Sequence, residues 1–144
     1  MFKNILFPVD LEHTETVDKA LALALEEVER SGAEITVMTV APGVGMPLVA
    51  SYFKQETLDK VMQEVTKNLE EFVQQNIPTQ YNPNVLVAKG NGHPANEILK
   101  TARQLAVDLI VISSHDSKLE QAILGSCSAK VVRHAHCSVL VVKK

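Results

Sequence analysis

Residues Leu109 to Val142 read LIVISSHDSKLEQAILGSCSAKVVRHAHCSVLVV, and this stretch sets the fold. It opens with a continuous apolar run, Leu109–Ile112, too short for a helix and rich in β-branched side chains. A polar, serine-rich loop follows. Gly125-Ser126 then marks a helix start, a short helix runs from about Ser126 to Ala135, and Val139–Val142 is a second apolar run. Strands apolar on both faces are typical of parallel sheets covered by helices on each side. A loop of small residues between such a strand and a helix N-terminus leaves peptide N–H groups unpaired, and the helix dipole adds partial positive charge there. That is a natural seat for phosphate.

Working outward, the same alternation fills the chain. Further strand-like runs are Ile5–Val9, Ile35–Val40 and Val85–Ala88. Between them lie stripes at helical spacing. Val17, Ala20, Leu21, Ala24, Leu25 and Val28 form one, stopped by Ser31-Gly32. Leu58, Val61, Met62, Val65, Leu69, Phe72 and Val73 form the second, ended by Asn76-Ile77-Pro78. Ile98, Leu99, Ala102 and Leu105 follow Pro94. The β-α-β-α order implies an α/β fold with a parallel sheet and right-handed crossovers. The segment Ala41–Phe53 has two glycines, two prolines and little periodicity; an irregular connection of that length is often functional or mobile.

Composition narrows the function. The 144 residues amount to one domain, 1–144, and 46% hydrophobic residues supply one core. A net charge of −3, with 14 basic against 17 acidic residues, argues against a nucleic-acid partner. No run approaches the ~18 apolar residues of a membrane span. MFKNILFPVD reads as a strand and not as a signal peptide. Two cysteines without an export signal point to free thiols in a cytoplasmic setting.

The order of motifs resembles the universal stress protein family. That family's signature is Gly-x-x-Gly, eight or nine residues, Gly-Ser/Thr, a helix and a Pro-Val-Leu-Val-Val strand. Ser113-Ser114-His115-Asp116 stands where Gly-Ser-His-Gly is usual. Leu124-Gly125-Ser126, Val131-Val132-Arg133-His134-Ala135 and Cys137-Ser138-Val139-Leu140-Val141-Val142 match closely. Ile5-Leu6-Phe7-Pro8-Val9-Asp10 matches the first strand, and Gly92-His93-Pro94 followed by Ile98 matches the turn before the third helix.

The resemblance implies a doubly wound, five-stranded parallel sheet of order 3-2-1-4-5, with a ligand crevice between the first and fourth strands. It implies that ATP, with or without Mg²⁺, is held there. Pro8, Val9 and Asp10 would flank the ribose or adenine, and the Val40 backbone would bind the adenine edge. Ser113, Ser114, His115 and Asp116 with the turn Gly125, Ser126 and Cys127 would hold the phosphates. It also implies a homodimer formed through the last strand, Ser138–Val142, acting as a stress-response regulatory module on a protein partner that the sequence does not name.

The departures bear on this. Ser113 and Asp116 replace the two family glycines, and the loop from Asp116 to Gly125 is one residue shorter than usual. A carboxylate beside a triphosphate is repelled unless Mg²⁺ bridges the two or the side chain turns outward. A nucleotide-free dimeric adaptor is therefore the alternative, and slow hydrolysis or self-phosphorylation is another. No catalytic set can be placed: Asp10-Leu11-Glu12-His13-Thr14 lacks the phosphate loops of adenylyl-transferring relatives, and no Walker lysine follows a glycine loop.

Simpler readings stand beside these. Asp10 serves equally as a turn residue, and Ser126 as a helix cap. Pro8 is either a harmless strand-end proline or the mark of a strand opening toward the crevice. Cys127, in a first helical turn, would be acidified there unless burial opposes it. His134, His136 and Cys137 lack the further ligands of a zinc site.

Overall fold

A computed structural model describes residues 1–114 and 124–143. The parallel sheet comprises β1 (Asn4–Pro8), β2 (Glu34–Ala41), β3 (Asn84–Lys89), β4 (Leu109–Ser114) and β5 (Ser138–Lys143), in the order β3-β2-β1-β4-β5. This is the 3-2-1-4-5 arrangement the motif order implies. The helices are α1 (Asp18–Ser31), α2 (Pro47–Tyr52), α3 (Gln55–Asn76), α4 (Pro94–Gln104) and α5 (Ser126–His134).

Alternation along the central strands divides the core. Ile5 and Phe7 of β1, Ile35 and Val37 of β2, and Val111 of β4 face one side. There they pack with Ala20, Leu21 and Ala24 of α1 and Leu69 of α3. Leu6, Met38, Ile110 and Ile112 face the other, against Ala95, Ile98 and Ala102 of α4 and Val131 of α5. Strands wedged between two helical layers need apolar residues at every position, which explains the unbroken hydrophobic runs. Phe7, Leu6 and Ile110 are completely buried, and each such side chain contributes about 2 kcal/mol of transfer free energy.

Local signals close the elements. Gly32 ends α1 with φ of 72° and returns its N–H to the Val28 carbonyl at 2.8 Å. This left-handed cap suits glycine, which has no Cβ. The segment 41–53, expected to be irregular, contains the short helix α2, opened by Pro47 in its first turn. Six residues are too few to display a helical stripe. Its approach is fastened to the exit of β3: Gly45 N–H donates to Gly90 C=O at 2.9 Å, and Gly90 N–H to Ala41 C=O at 2.8 Å. A Cβ on Gly90 would lie 2.8 Å from the Ala41 oxygen, so only glycine allows this approach.

The two outermost strands are β3 and β5. Along β5, Ser138, Leu140 and Lys143 are exposed while Val142 is buried.

Candidate functional site

Strand β1 is paired with β2 through Pro8↔Met38, but with β4 only at Ile5↔Leu109 and Leu6↔Ile110. The reason is chemical. In a β-strand, peptide groups of alternate residues face opposite neighbours. Asp108 N–H donates to Asn4 C=O, so Asn4, Leu6 and Pro8 are the residues of β1 whose peptide groups face β4. Pro8 has no N–H to donate, and pairing stops there. The two strands part, and a cavity of about 470 Å³ opens beyond their carboxyl ends. That volume lies within the range of small-molecule and cofactor sites.

Pro8, Val9, Asp10, Val40, Ser113, Gly125, Ser126 and Cys127 all line this cavity. Ser114 stands one step behind: its Oγ accepts from Gly125 N–H at 3.1 Å. His115 and Asp116 lie outside the described residues. Thr39, Pro42, Asn68 and Ile98 also line the cavity; periodicity marks Thr39 and Asn68 only as ordinary members of their elements, whereas Pro42 belongs to the irregular segment 41–53 and Ile98 to the motif that follows Pro94.

One end of the cavity is the N-terminus of α5. Gly125 is the N-cap of α5, and its C=O accepts from Ala129 N–H at 2.9 Å. The N–H groups of Ser126, Cys127 and Ser128 therefore belong to the unpaired first turn, and all three residues line the cavity. Among the described residues no side-chain hydrogen bond caps the helix. Because Ser114 already engages the Gly125 amide, the first-turn N–H groups left over among the described residues start at Ser126 and not at Gly125.

The other end is a strand edge. Val9 N–H donates to Met38 C=O at 2.8 Å, while on the opposite side Gly90 N–H donates to Ala41 C=O. By alternation, Val40 turns its N–H and C=O toward β1, past the point where β1 ends. Asp10 completes this end with a tight turn in which its Oδ1 accepts from Glu12 N–H at 3.0 Å. The turn-residue reading of Asp10 and its place in the cavity thus hold together.

The charge balance is unusual for an anion site. Among the described lining residues the charged ones are Asp10 and Glu12; none is Lys or Arg. Burial, followed by the negative charge of Asp10, pushes the Cys127 thiol up to about 11. Burial thus outweighs the acidifying helix N-terminus, and Cys127 is a neutral lining group. No three or more His, Cys, Asp or Glu side chains among the described residues form a metal-binding group. No described helix is long and apolar enough to cross a membrane.

A parallel sheet with its crevice where the connections diverge defines the doubly wound α/β class, whose ligands sit at this place. The universal stress protein family profile matches residues 1–143, and the chain belongs to that family. It is 32% identical over 148 residues to the universal stress protein MJ0531 of Methanocaldococcus jannaschii, covering 100% of this chain and 84% of that protein. The solved structure of MJ0577, from the same organism, superposes with a TM-score of 0.76 at 27% identity over 100% of this chain and 97% of that one. A universal stress protein from Archaeoglobus fulgidus, solved in complex with dAMP, has the same fold, with a TM-score of 0.66 at 20% identity over 98% of each chain.

Proposed function

We propose that the whole chain, as a single domain, is a stress-response regulatory module that binds ATP in the β1/β4 crevice. The observation that carries this reading is the pairing, across one cavity, of two backbone surfaces left unsatisfied among the described residues. The Val40 peptide edge suits the hydrogen-bonding rim of a purine, and the first-turn amides of α5 suit phosphate oxygens. Asp10, between them, accepts from ribose hydroxyls. Ser126 adds a hydroxyl donor at the phosphate end. Mg²⁺, when bound, neutralises the polyphosphate near Asp10 and Glu12, a need created by the lack of lining Lys or Arg among the described residues. The dAMP complex of the Archaeoglobus fulgidus relative is in keeping with an adenine nucleotide as ligand.

The module acts as a homodimer. Strand β5 pairs on one side only, with β4, and an apolar strand with an open edge invites pairing with a second copy. Its place is the cytoplasm, where the free Cys127 and Cys137 stay reduced. In this reading occupancy is the signal, and ATP hydrolysis or self-phosphorylation is at most slow.

The two lining carboxylates favour a second reading, a nucleotide-free adaptor of the same fold. Mass analysis of acid-released small molecules from freshly purified protein, with calorimetric titration of ATP and Mg²⁺, separates the two. Protein that is empty and gives no heat with ATP leaves the adaptor reading. Sedimentation as a monomer at micromolar concentration removes the dimer.

A further inference from the structure

Thr39 is a hydroxyl in a strand that otherwise buries hydrocarbon. It is 5% exposed, beside Val37, Met38 and Ala41 at 0%. Its Oγ1 donates to the Val9 carbonyl at 2.8 Å. That carbonyl is where the β1–β2 ladder would continue. Val9 N–H already donates to Met38 C=O, and the next rung of a parallel ladder is Val40 N–H to Val9 C=O. No such bond forms among the described residues. The Val9 carbonyl has room for both donors but accepts from the hydroxyl and not from the Val40 amide.

Burial does not call for threonine here. Valine has nearly the same shape, is equally at home in a strand, and leaves no hydroxyl to satisfy. What threonine adds is a hydroxyl that holds the Val9 carbonyl in an orientation turned from the next rung. We propose that Thr39 is a positioning residue that keeps the Val40 peptide edge open for the base of the bound nucleotide. This rests on the ATP-binding reading above.

The open edge offers one N–H and one C=O, and adenine offers the complement, the N1 acceptor beside the N6 amino donor. Guanine presents acceptor and donor in reverse order at the same rim. Removing the Thr39 hydroxyl lets Val9 C=O capture the Val40 N–H, so the ligand loses its donor while the phosphate seat on α5 is untouched.

The test is Thr39→Val, with Thr39→Ser as the variant that retains the hydroxyl and Thr39→Ala read in the same way should Thr39→Val fold poorly. In ligand-free protein, hydrogen exchange of the Val40 amide should slow about tenfold in Thr39→Val and return to the wild-type rate in Thr39→Ser. ATP affinity should fall about tenfold, the value of one hydrogen bond, and the preference for ATP over GTP should fall with it. Tripolyphosphate affinity should not change. If ATP binds normally and Val40 exchange is the same in wild type and Thr39→Val, the role of Thr39 is overturned. Slower exchange with undiminished ATP affinity overturns it too, since the edge is then closed and the ligand unaffected. Wild-type protein that binds no nucleotide brings down the ATP-binding reading itself, and the proposal with it.

Discussion

Strands β1 and β4 lie side by side, yet their two ends are built in opposite ways. At the amino end they are fastened. The Asp108 carboxylate, leading into β4, accepts from Lys3 N–H at 2.9 Å and from Asn4 N–H at 3.0 Å, and Asp108 N–H donates to Asn4 C=O at 3.0 Å. At the carboxyl end they part after Leu6↔Ile110, and backbone groups that a longer ladder would use face a cavity. The difference comes from a few residues, an aspartate that supplies acceptors and a proline that withholds a donor. Each end is built differently: satisfied polar groups hold the sheet together at one, and peptide groups without a partner among the described residues face the cavity at the other.

The largest expected effect is at the fastened end. Asp108→Ala should destabilise the fold by about 2 kcal/mol, the typical value of hydrogen bonds to a charged acceptor discounted for partial exposure. Denaturant titration reads this, and ATP affinity should stay the same. Burial by itself would raise the Asp108 carboxyl, but the amides of Asn4 and Lys3 donate to its charged form and together hold it below its ordinary value of 3.8. A lowered folded-state pKa stabilises above the unfolded value and loses that contribution as pH falls through the folded one. The wild type should therefore lose stability below pH 3.8 more steeply than Asp108→Ala. Parallel curves would mean that Asp108 is not the fastening.

At the open end, Ser126→Asp places a carboxylate at the phosphate seat and should weaken ATP binding at least about tenfold through like-charge repulsion. Adenosine, which has no phosphate, should bind as before; an equal loss for both ligands would move the phosphates elsewhere.

Pro8→Ala addresses the asymmetry itself. It restores an N–H facing β4, so the ladder can extend by one rung and narrow the crevice. ATP affinity should fall about threefold, with stability changed by less than about 1 kcal/mol. In hydrogen exchange, protection of the amide restored by this substitution would show the new rung. Free exchange of that amide would break the account of why the strands part.

The smallest effect is on reactivity. With the Cys127 thiol pushed up to about 11, alkylation by iodoacetamide at neutral pH should be slower than for a free thiol, and should rise steadily as pH approaches that value. Fast modification at neutral pH would place Cys127 in a more open, more cationic setting than the crevice provides.

Much of this architecture was legible in the chain. Runs such as Leu109–Ile112 announce strands covered on both faces, because a central strand between two helical layers has no solvent side. The stripes that became α1 and α3 announce amphipathic helices. Asp10 and Gly125-Ser126 were legible as turn and cap residues because that chemistry is local, and the family resemblance pointed to them at the crevice, which they line. Helix α2 was not, since six residues show no period. Pro8 supported two readings until its pairing partners were visible, and Cys127 until burial was set against the helix terminus. Thr39 carried no signal at all, one hydroxyl in an apolar run.

Residue order alone, then, carried the alternation of elements and the two-faced core, because periodicity, turn chemistry and hydrophobic runs are properties of near neighbours; the place of the crevice came with the family resemblance. Which peptide groups are left over is another matter. The partner of an N–H in a parallel sheet comes from a strand tens of residues away, and the Val40 N–H is left without one among the described residues because of where β1 and β2 part in space.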